Sequence, residues 1–584
     1  LSQRTLAQAD LTIDDPATMT IVTNLAQSDD PTQVRLALNL LEQAEHRTYE
    51  PLLLNLVDHT NDAARLEAFT RLEKHPALAA KIPFATYLDQ PNTLAIHAAM
   101  LRTFMAAGST SAVESGVAAL NSPEAEIRRA ALIGLLRYGG IAGQVRAGQY
   151  LLTLTESSRE TDQLLLAQTL AALDNHNFYQ PLGKLLASDS AAVRCFTLQA
   201  AAKVRHPSLL PAIIGQLDGL ETRSTAISTL ADYDTAVLPY IESALTENET
   251  SLATQFSLVR LSVQLVNGSA QKVLLPHLLH TDRELRLVLL TALQRSGYRA
   301  TDEQDIRQIE AALQTEVERT AIILSANTTI AQPSEFSWLH AALQTDRQQA
   351  IQRILLLFSF LYDSPALRHV SDSLHLSSGE DRAQAVETVD LILSTPHKEL
   401  LLPLIDNELS DIQRLSARDK RVSVLTATAE EWLHNIISGE SDQFDDWTQA
   451  CAIYGAVSSA AAAWRAPVAQ FVQENAGNEK RPIALETGQW AVNVSAGEQK
   501  MLIIEKVSFL KGTTIFENVP EAVLASVAQV VEVVELPTHQ QFISEGELAR
   551  AMFIIVEGAV RVQKNGKPIA KLEAGDVVGE LAIF

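Results

Sequence analysis

Ser188-Asp189-Ser190-Ala191-Ala192-Val193-Arg194 opens a run of small and apolar residues, Cys195 to Val204, and its pattern returns along the chain. The echoes are Asp30-Pro31-Thr32-Gln33-Val34-Arg35, Asn61-Asp62-Ala63-Ala64-Arg65, Ser122-Pro123-Glu124-Ala125-Glu126-Ile127-Arg128 and Thr281-Asp282-Arg283-Glu284-Leu285-Arg286. Their arginines stand 30, 63, 66 and 92 positions apart, near one, two, two and three units of slightly over 30 residues. His97 and Arg223 sit at the offsets of units in between. The chemistry of each unit is that of a helix start. A Ser, Asp or Asn accepts from the free amides of the first turn, and proline fits there because its missing N–H has no partner to lose. Val193, Leu198, Ala201 and Ala202 then fall on one apolar stripe at helical spacing.

A repeat of this length and content resembles HEAT-like helix pairs, which cannot bury an apolar face alone and stack on their neighbours into an α-solenoid. The repeated arginine is expected to bond or pair with the adjacent repeat and to pack its stem, not to form a ladder of ligand cations. From Gln344 to about Ala463 the period blurs, while helical patterns continue through Asp346 to Tyr362, Ser378 to Ser394 and Thr426 to Ser438. Thr428 to Glu431 reads as a capping box ahead of Trp432-Leu433. Gly477 to Gly497, with Pro482 and weak periodicity, reads as a linker. The division expected is a HEAT-like helical solenoid over 1–475, a linker over 476–500 and a separate domain over 501–584.

That last domain changes character. Two helical patterns, Met501 to Leu510 and one starting near Pro520, lead into short β-type runs punctuated by glycine. Gln541-Phe542-Ile543, Met552 to Val556, Ala559 to Val562 and Pro568 to Leu572 are strand-length, with turns at Glu545-Gly546, Glu557-Gly558 and Gly575-Asp576. Lys564-Asn565-Gly566-Lys567 is a tight hairpin signal, since a type I′ turn needs positive φ at both central residues. An antiparallel β-roll is predicted, and the chain is mainly α overall.

From Phe509 to Phe584 the chain resembles the cyclic-nucleotide-binding domain family. The resemblance rests on Glu545-Gly546, Phe553 to Gly558, Gly575-Asp576 and Gly579-Glu580-Leu581-Ala582, in the family's order and spacing. It implies that Gly579, Leu581 and Ala582 offer backbone N–H groups to a cyclic phosphate and that Glu580 accepts from the ribose 2′-hydroxyl, the ligand being cAMP or cGMP. The physics suits those roles: successive amides form an anion nest, a helix N-terminus favours negative charge, and a carboxylate is a strong acceptor. The family's phosphate-neutralising arginine would fall after Phe584, and Val578 stands where an aromatic is common.

The balance of charge excludes other classes. Of 584 residues, 47% are apolar and 20% charged, which supplies a large core and argues against disorder. Acidic residues exceed basic ones by 70 to 46, giving −24, and no basic run of the kind that displaces counterions from a duplex occurs. No nucleic acid partner is therefore expected, and no helix-turn-helix follows the roll within these residues. The two cysteines, Cys195 and Cys451, exclude a disulfide framework and suit a reducing compartment. Ile354 to Tyr362 is too short for a membrane span, and Trp447 to Trp464 is uncharged but rich in Ala, Ser, Gln and Thr, so both read as packed helices.

Catalytic motifs are lacking: no Gly-x-x-x-x-Gly-Lys loop, no Gly-x-Gly-x-x-Gly, no His-Glu-x-x-His and no Cys-x-x-Cys occurs. His277 and His280 share a helical face without further ligands at metal spacing. Glu430-Glu431 and Asp445-Asp446 are adjacent pairs, which do not share a face. No catalytic residue, metal or cofactor is assigned, and the chain is read as a non-enzyme.

A wider resemblance covers most of the chain. Helical repeats, the run from Ile354 into Phe360-Leu361-Tyr362-Asp363-Ser364-Pro365, then Glu430-Glu431-Trp432-Leu433, Trp447, Met501 to Val507 and the roll are similar to the cytosolic region of bacterial membrane proteins. Those proteins carry an N-terminal domain like ATP/ADP translocases of the major-facilitator type. The resemblance implies a regulatory and scaffolding region at the cytoplasmic face of a membrane; if roll and solenoid are coupled by linkage, Met501 to Leu510 is expected to be the coupling helix. Its partners would be proteins held by the solenoid and the upstream membrane domain of the same polypeptide, into which a chain starting at Leu1 is expected to extend. The alternative is a free-standing protein-interaction scaffold with a ligand-free roll.

Overall fold

The computed structural model describes residues 16–579 apart from 27, 29, 45–47, 89–91, 174–177, 247–249, 266–268, 331–333, 363, 376–378, 407–408, 417–426, 440–442, 478–480, 494–500, 518, 545–550 and 565–566. It divides into two compact units, Leu1–Ala270 and Gln271–Phe584. Every regular element described up to Asn493 is helical, and strands begin at Phe553. The molecule is mainly α: a HEAT-like helical repeat followed by a small antiparallel β region.

In the first unit the period is visible in the helices themselves. Pro31–Gln43, Asp62–Leu72, Leu94–Ala106, Ala125–Tyr138, Glu160–Ala172, Ala191–Val204, Arg223–Ala231 and Leu252–Ser262 form a row in which each packs on the next. Val34, Leu38, Phe69, Leu72, Ile96 and Met100 are fully buried between its first members, beside Leu53 and Leu56 from the intervening Tyr49–Leu56 helix. A lone helix of this length would be marginal in water, so burial of the stripe against its neighbours holds each one.

Caps follow the expected chemistry with one exception. Asp30 accepts from Thr32 N–H, Asn61 from Ala63 N–H, Ser190 from Val193 N–H and Asp282 from Leu285 N–H. Ser122-Pro123 does not cap its helix, which starts at Ala125 after Glu124. The Ser122 hydroxyl instead accepts from Glu124 N–H at 3.3 Å, standing before the capping position that Glu124 occupies and too early to reach the helical amides.

The arginines meet the expectation made for them in part: Arg35, Arg65 and Arg286 each pair with the next repeat, through Glu67, Asn92 and Glu316, while a second kind of partner lies closer in sequence. Arg128 Nη1 donates to Ser122 O at 2.7 Å, Arg194 Nη1 to Ser188 O at 2.7 Å, Arg223 Nε to Leu217 O at 2.7 Å and Arg286 Nε to His280 O at 3.0 Å. Each acceptor is six residues back, in the turn preceding the arginine's own helix, and not in a neighbouring repeat. Those carbonyls have no helical N–H to accept from, and a cation beside them also meets the negative end of the preceding helix. Gln163 takes the same place in its repeat, donating to Ser157 O at 3.4 Å. Pairing with the next repeat exists as well, in Arg35 with Glu67 at 3.5 Å and Arg286 with Glu316.

The second unit lengthens its helices, which explains the blurred period: Glu303–Thr329 and Ser337–Leu361 span 27 and 25 residues. Its core joins Trp432, Ile436, Trp447, Cys451 and Phe471 to Ile504, Val507, Leu524 and Ala525. The Thr428 to Glu431 capping box is formed.

The linker expected over 476–500 contains a helix, Pro482–Asn493, packed along Asp446–Glu474. The Asp446 carboxylate accepts from Ile483 and Ala484 N–H at 3.0 and 2.9 Å, capping it from outside. Gly488, within that span, is a packing residue: a Cβ there would lie 2.7 Å from Val472 Cγ2. The helices Ile503–Lys511 and Glu521–Val530, assigned by sequence to the C-terminal domain, share the same core.

Candidate functional site

Four strands build the C-terminal site. β1 (Phe553–Ile554), β2 (Ala559–Lys564), β3 (Lys567–Glu573) and β4 (Val577–Val578) pair antiparallel as β1 with β4 and β2 with β3. Phe553 stands opposite Val578 and Ile554 opposite Val577. The β1–β4 pairing continues into the turn, where Ile555 N–H donates to Asp576 O at 3.0 Å and Gly575 N–H to Ile555 O at 2.8 Å. Asp576 Oδ2 accepts from Glu573 N–H at 2.7 Å. Phe542 meets Phe553 edge to face at 5.0 Å, so the 541–543 run, expected as a strand, is attached by its ring and joins no described ladder.

Gly579 ends β4 with φ +81°, and a Cβ there would lie 2.9 Å from Ala551 O. Glycine is required twice over, by backbone sign and by the carbonyl against it. The residue that would open the phosphate cradle is therefore a built turn. Glu580, Leu581 and Ala582 lie outside the described residues, as do the Glu545-Gly546 and Asn565-Gly566 turns, so Gly579 is the one predicted site residue whose geometry is given.

The helix Ile503–Lys511 is tied to the one that leads toward the strands. Lys506 Nζ donates to Ala528 O at 3.3 Å and Val531 O at 2.6 Å, closing the C-terminal end of Glu521–Val530 where the chain turns toward the strands. The other face of Ile503–Lys511 borders a cavity of about 310 Å³ lined by Trp338, Tyr454, Met501, Glu505 and Phe509. Tyr454 is stacked on Trp490 at 5.5 Å, and Glu505 accepts from Leu502 N–H at 2.9 Å as part of the helix cap.

A buried ionic network was not read from the sequence. Arg353 donates to Glu316 at 3.0 Å, Arg286 also pairs with Glu316, and Arg283 lies 3.7 Å from Asp346. Arg319 Nη2 donates to Gln443 O at 3.0 Å. The spacings Arg283/Arg286 and Glu316/Arg319 put two charges on one helical face, which was the available signal. None of these residues lines the Tyr454 cavity. His277 and His280 hold no metal set: His280 Nδ1 accepts from Asp282 N–H at 3.1 Å, and no cluster of three ligating side chains is found among the described residues. Cys195 and Cys451 are free thiols.

Residues 533–584 match the model of the cyclic nucleotide-binding domain family. No curated protein matches the chain significantly. Among solved structures, a mutant of Kap121p aligns at 12% identity over 89% of this chain and 71% of that one, with a TM-score of 0.24. The karyopherin Kap121p bound to the extreme C-terminus of the protein phosphatase Cdc14p aligns at 11% identity, over 89% and 70%, with a TM-score of 0.25. An engineered protein aligns at 17% identity over 76% and 97%, at 0.18. Scores this low decide nothing about the chain.

Proposed function

We propose that this chain is a non-catalytic regulatory and scaffolding region, in which a helical-repeat platform docks protein partners and a C-terminal cyclic-nucleotide-binding domain senses a ligand. The observation that carries the reading is Gly579, held in a left-handed turn at the end of β4 inside the stretch that matches the family. A positive-φ residue followed by free amides is how a backbone turns its N–H groups toward a phosphate. cAMP or cGMP is the ligand class, with Glu580 as the ribose acceptor and Leu581 and Ala582 as amide donors. The ligand would act by linkage: it shifts the roll only as far as it prefers one arrangement. Lys506 transmits that preference into the helical core through its bonds to Ala528 and Val531.

The wider role is the cytosolic part of a nucleotide-transporter-like membrane protein, supported by the succession of helical repeats, Trp432 and Trp447 motifs and roll. No described helix is long and apolar enough to cross a membrane, so anchoring would be supplied by an upstream domain of the polypeptide. Calorimetry with cAMP and cGMP, on the chain and on Glu580→Ala, tests the sensing role. Binding that Glu580→Ala abolishes supports it; no binding of either nucleotide, with the chain carried through the residues after Phe584, leaves a ligand-free roll and a scaffold alone. Fractionation of cells making the full-length product tests the membrane role, which a wholly soluble product would remove.

A further inference from the structure

Thr70, Arg102, Arg129, Gln168 and Gln199 come from five successive helices of the row, Asp62–Leu72 to Ala191–Val204, and line one groove of about 490 Å³. Lys74 and Arg137 complete its cationic side. Among the described residues that line the groove, Glu73 is the one carboxylate; it is nearly buried and accepts from Arg102 at 2.9 Å and Arg137 at 3.3 Å. Arg129 is held by Gln168 at 2.9 Å, with Glu126 3.9 Å away at the rim. Counting Glu126, four cations face two carboxylates, on a chain whose acidic residues outnumber its basic ones by 70 to 46. The charge balance is inverted locally, and the field in the groove attracts anions.

We infer that this groove binds an extended, carboxylate-rich peptide segment of a partner protein. Arg102 and Arg137 are already drawn together by Glu73, while Lys74 follows Asp62–Leu72 and Arg129 stands on Ala125–Tyr138 beside Gln168, so the positive charge extends over three neighbouring units and suits charges spread along a chain better than one phosphate. Neighbouring helices stand about 8–10 Å apart, a distance an extended peptide covers in roughly three residues at about 3.3 Å each. Acidic residues at every third position would meet the units of Lys74, Arg102 and Arg129 in turn. The amides of Gln168 and Gln199 can both donate to and accept from the peptide backbone between them. A single-stranded nucleic acid is the poorer fit, because such grooves add a series of stacking aromatics, and here Phe196 and Tyr138 are both half-buried.

This deepens the scaffold reading and rests on it. The test is fluorescence polarisation of the whole chain with a labelled peptide bearing Glu at every third position among serines, its Lys counterpart, and a single-stranded oligonucleotide. The Glu peptide is expected to bind alone, more weakly as salt rises, and about tenfold more weakly for each cation reversed in Lys74→Glu and Arg129→Glu. Lys74 is exposed, so Lys74→Glu keeps the fold and the experiment decisive, with circular dichroism as the check. No binding of the Glu peptide, equal binding by the variants, or stronger binding of the Lys peptide or the oligonucleotide overturns the inference. A cellular partner captured equally by the chain and by Lys74→Glu/Arg129→Glu would remove the groove while leaving the scaffold standing; no captured partner at all would remove the scaffold reading itself.

Discussion

Arg353 Nε donates to Glu316 Oε2 at 3.0 Å, and both side chains are 1% exposed. Burial by itself raises the pKa of Glu316, but Arg353, Arg286 and Arg319 more than offset it and hold the carboxyl below its usual range. The pair is thus a charge that its neighbours require. Replacing both partners by apolar groups can be neutral, whereas removing one strands the other.

Glu316→Gln is accordingly expected to cost about 3–5 kcal/mol, the range for an uncompensated buried charge. All five tryptophans lie in Gln271–Phe584, so denaturant unfolding followed by tryptophan fluorescence reads this unit alone. A loss below about 1 kcal/mol would place Glu316 among ordinary exposed pairs.

Asp346 carries the opposite sign. Burial, with repulsion from Asp445, pushes its pKa up to about 7 against the pull of Arg283, Arg319 and Arg353. Asp446 rises to about 6, chiefly by burial, despite its bonds to the Ala484 and Ile483 amides. A raised folded pKa means the native state keeps a proton that the unfolded state has lost. The stabilisation is full below the unfolded value of about 4 and disappears as pH rises through 6 to 7. Tryptophan-monitored stability should therefore fall between about pH 4 and 7, and Asp346→Asn should flatten the upper part of that slope. Glu316, whose pKa is lowered, contributes in the other direction at the acid end. A wild-type profile that rises across this window, or one that Asp346→Asn leaves unchanged, would show that the arginines keep Asp346 ionised.

The repeat was legible because its unit is local: a cap, an apolar stripe and an arginine at fixed offset are all set within one turn of each helix start. What the arginine does was legible only in part, because at Arg128, Arg194, Arg223 and Arg286 it bonds a backbone carbonyl, which leaves no mark in sequence. Gln163 shows the cost of searching by residue type, since it fills the place with a side chain that shares only a donor. The 476–500 segment misled for a related reason. Gly488 and Pro482 have the composition of a loop, yet one permits close packing on Val472 and the other starts a helix. In the roll, glycines at 558, 575 and 579 all have positive φ, and there the turn reading and the geometry coincide because chirality leaves few alternatives.

Arg194 tests the clamp. It donates to Ser188 O at 2.7 Å and Asp189 O at 2.9 Å. Arg194→Ala should cost about 1–2 kcal/mol, the scale of a charge-assisted bond at a half-buried helix end. Arg194→Gln should recover part of this, as Gln163 does in the preceding repeat. Since the first unit has no tryptophan, far-ultraviolet circular dichroism during chemical unfolding is the readout. Equal losses in the Ala and Gln variants would mean that the stem's packing matters and the carbonyl bonds do not.

Gly579 tests the site. Gly579→Ala meets two obstacles, a φ of +81° and the Ala551 carbonyl 2.9 Å from the new Cβ. The first costs roughly 1–2 kcal/mol, and the second forces β4 away from the segment leading into β1. Gly558 is the control, with φ +91° and nothing within 4 Å of its Cβ. Hydrogen exchange separates the two: the Ile555 and Gly575 amides, which close the β1–β4 turn, should lose protection in Gly579→Ala and keep it in Gly558→Ala. If the proposed site holds a nucleotide, its binding should follow the same division, because in that reading Gly579 opens the phosphate cradle whereas Gly558 only precedes β2. Protection lost equally in both variants would make β1–β4 and β2–β3 one cooperative unit, and unchanged protection in Gly579→Ala would show that the turn after β4 adapts to a side chain.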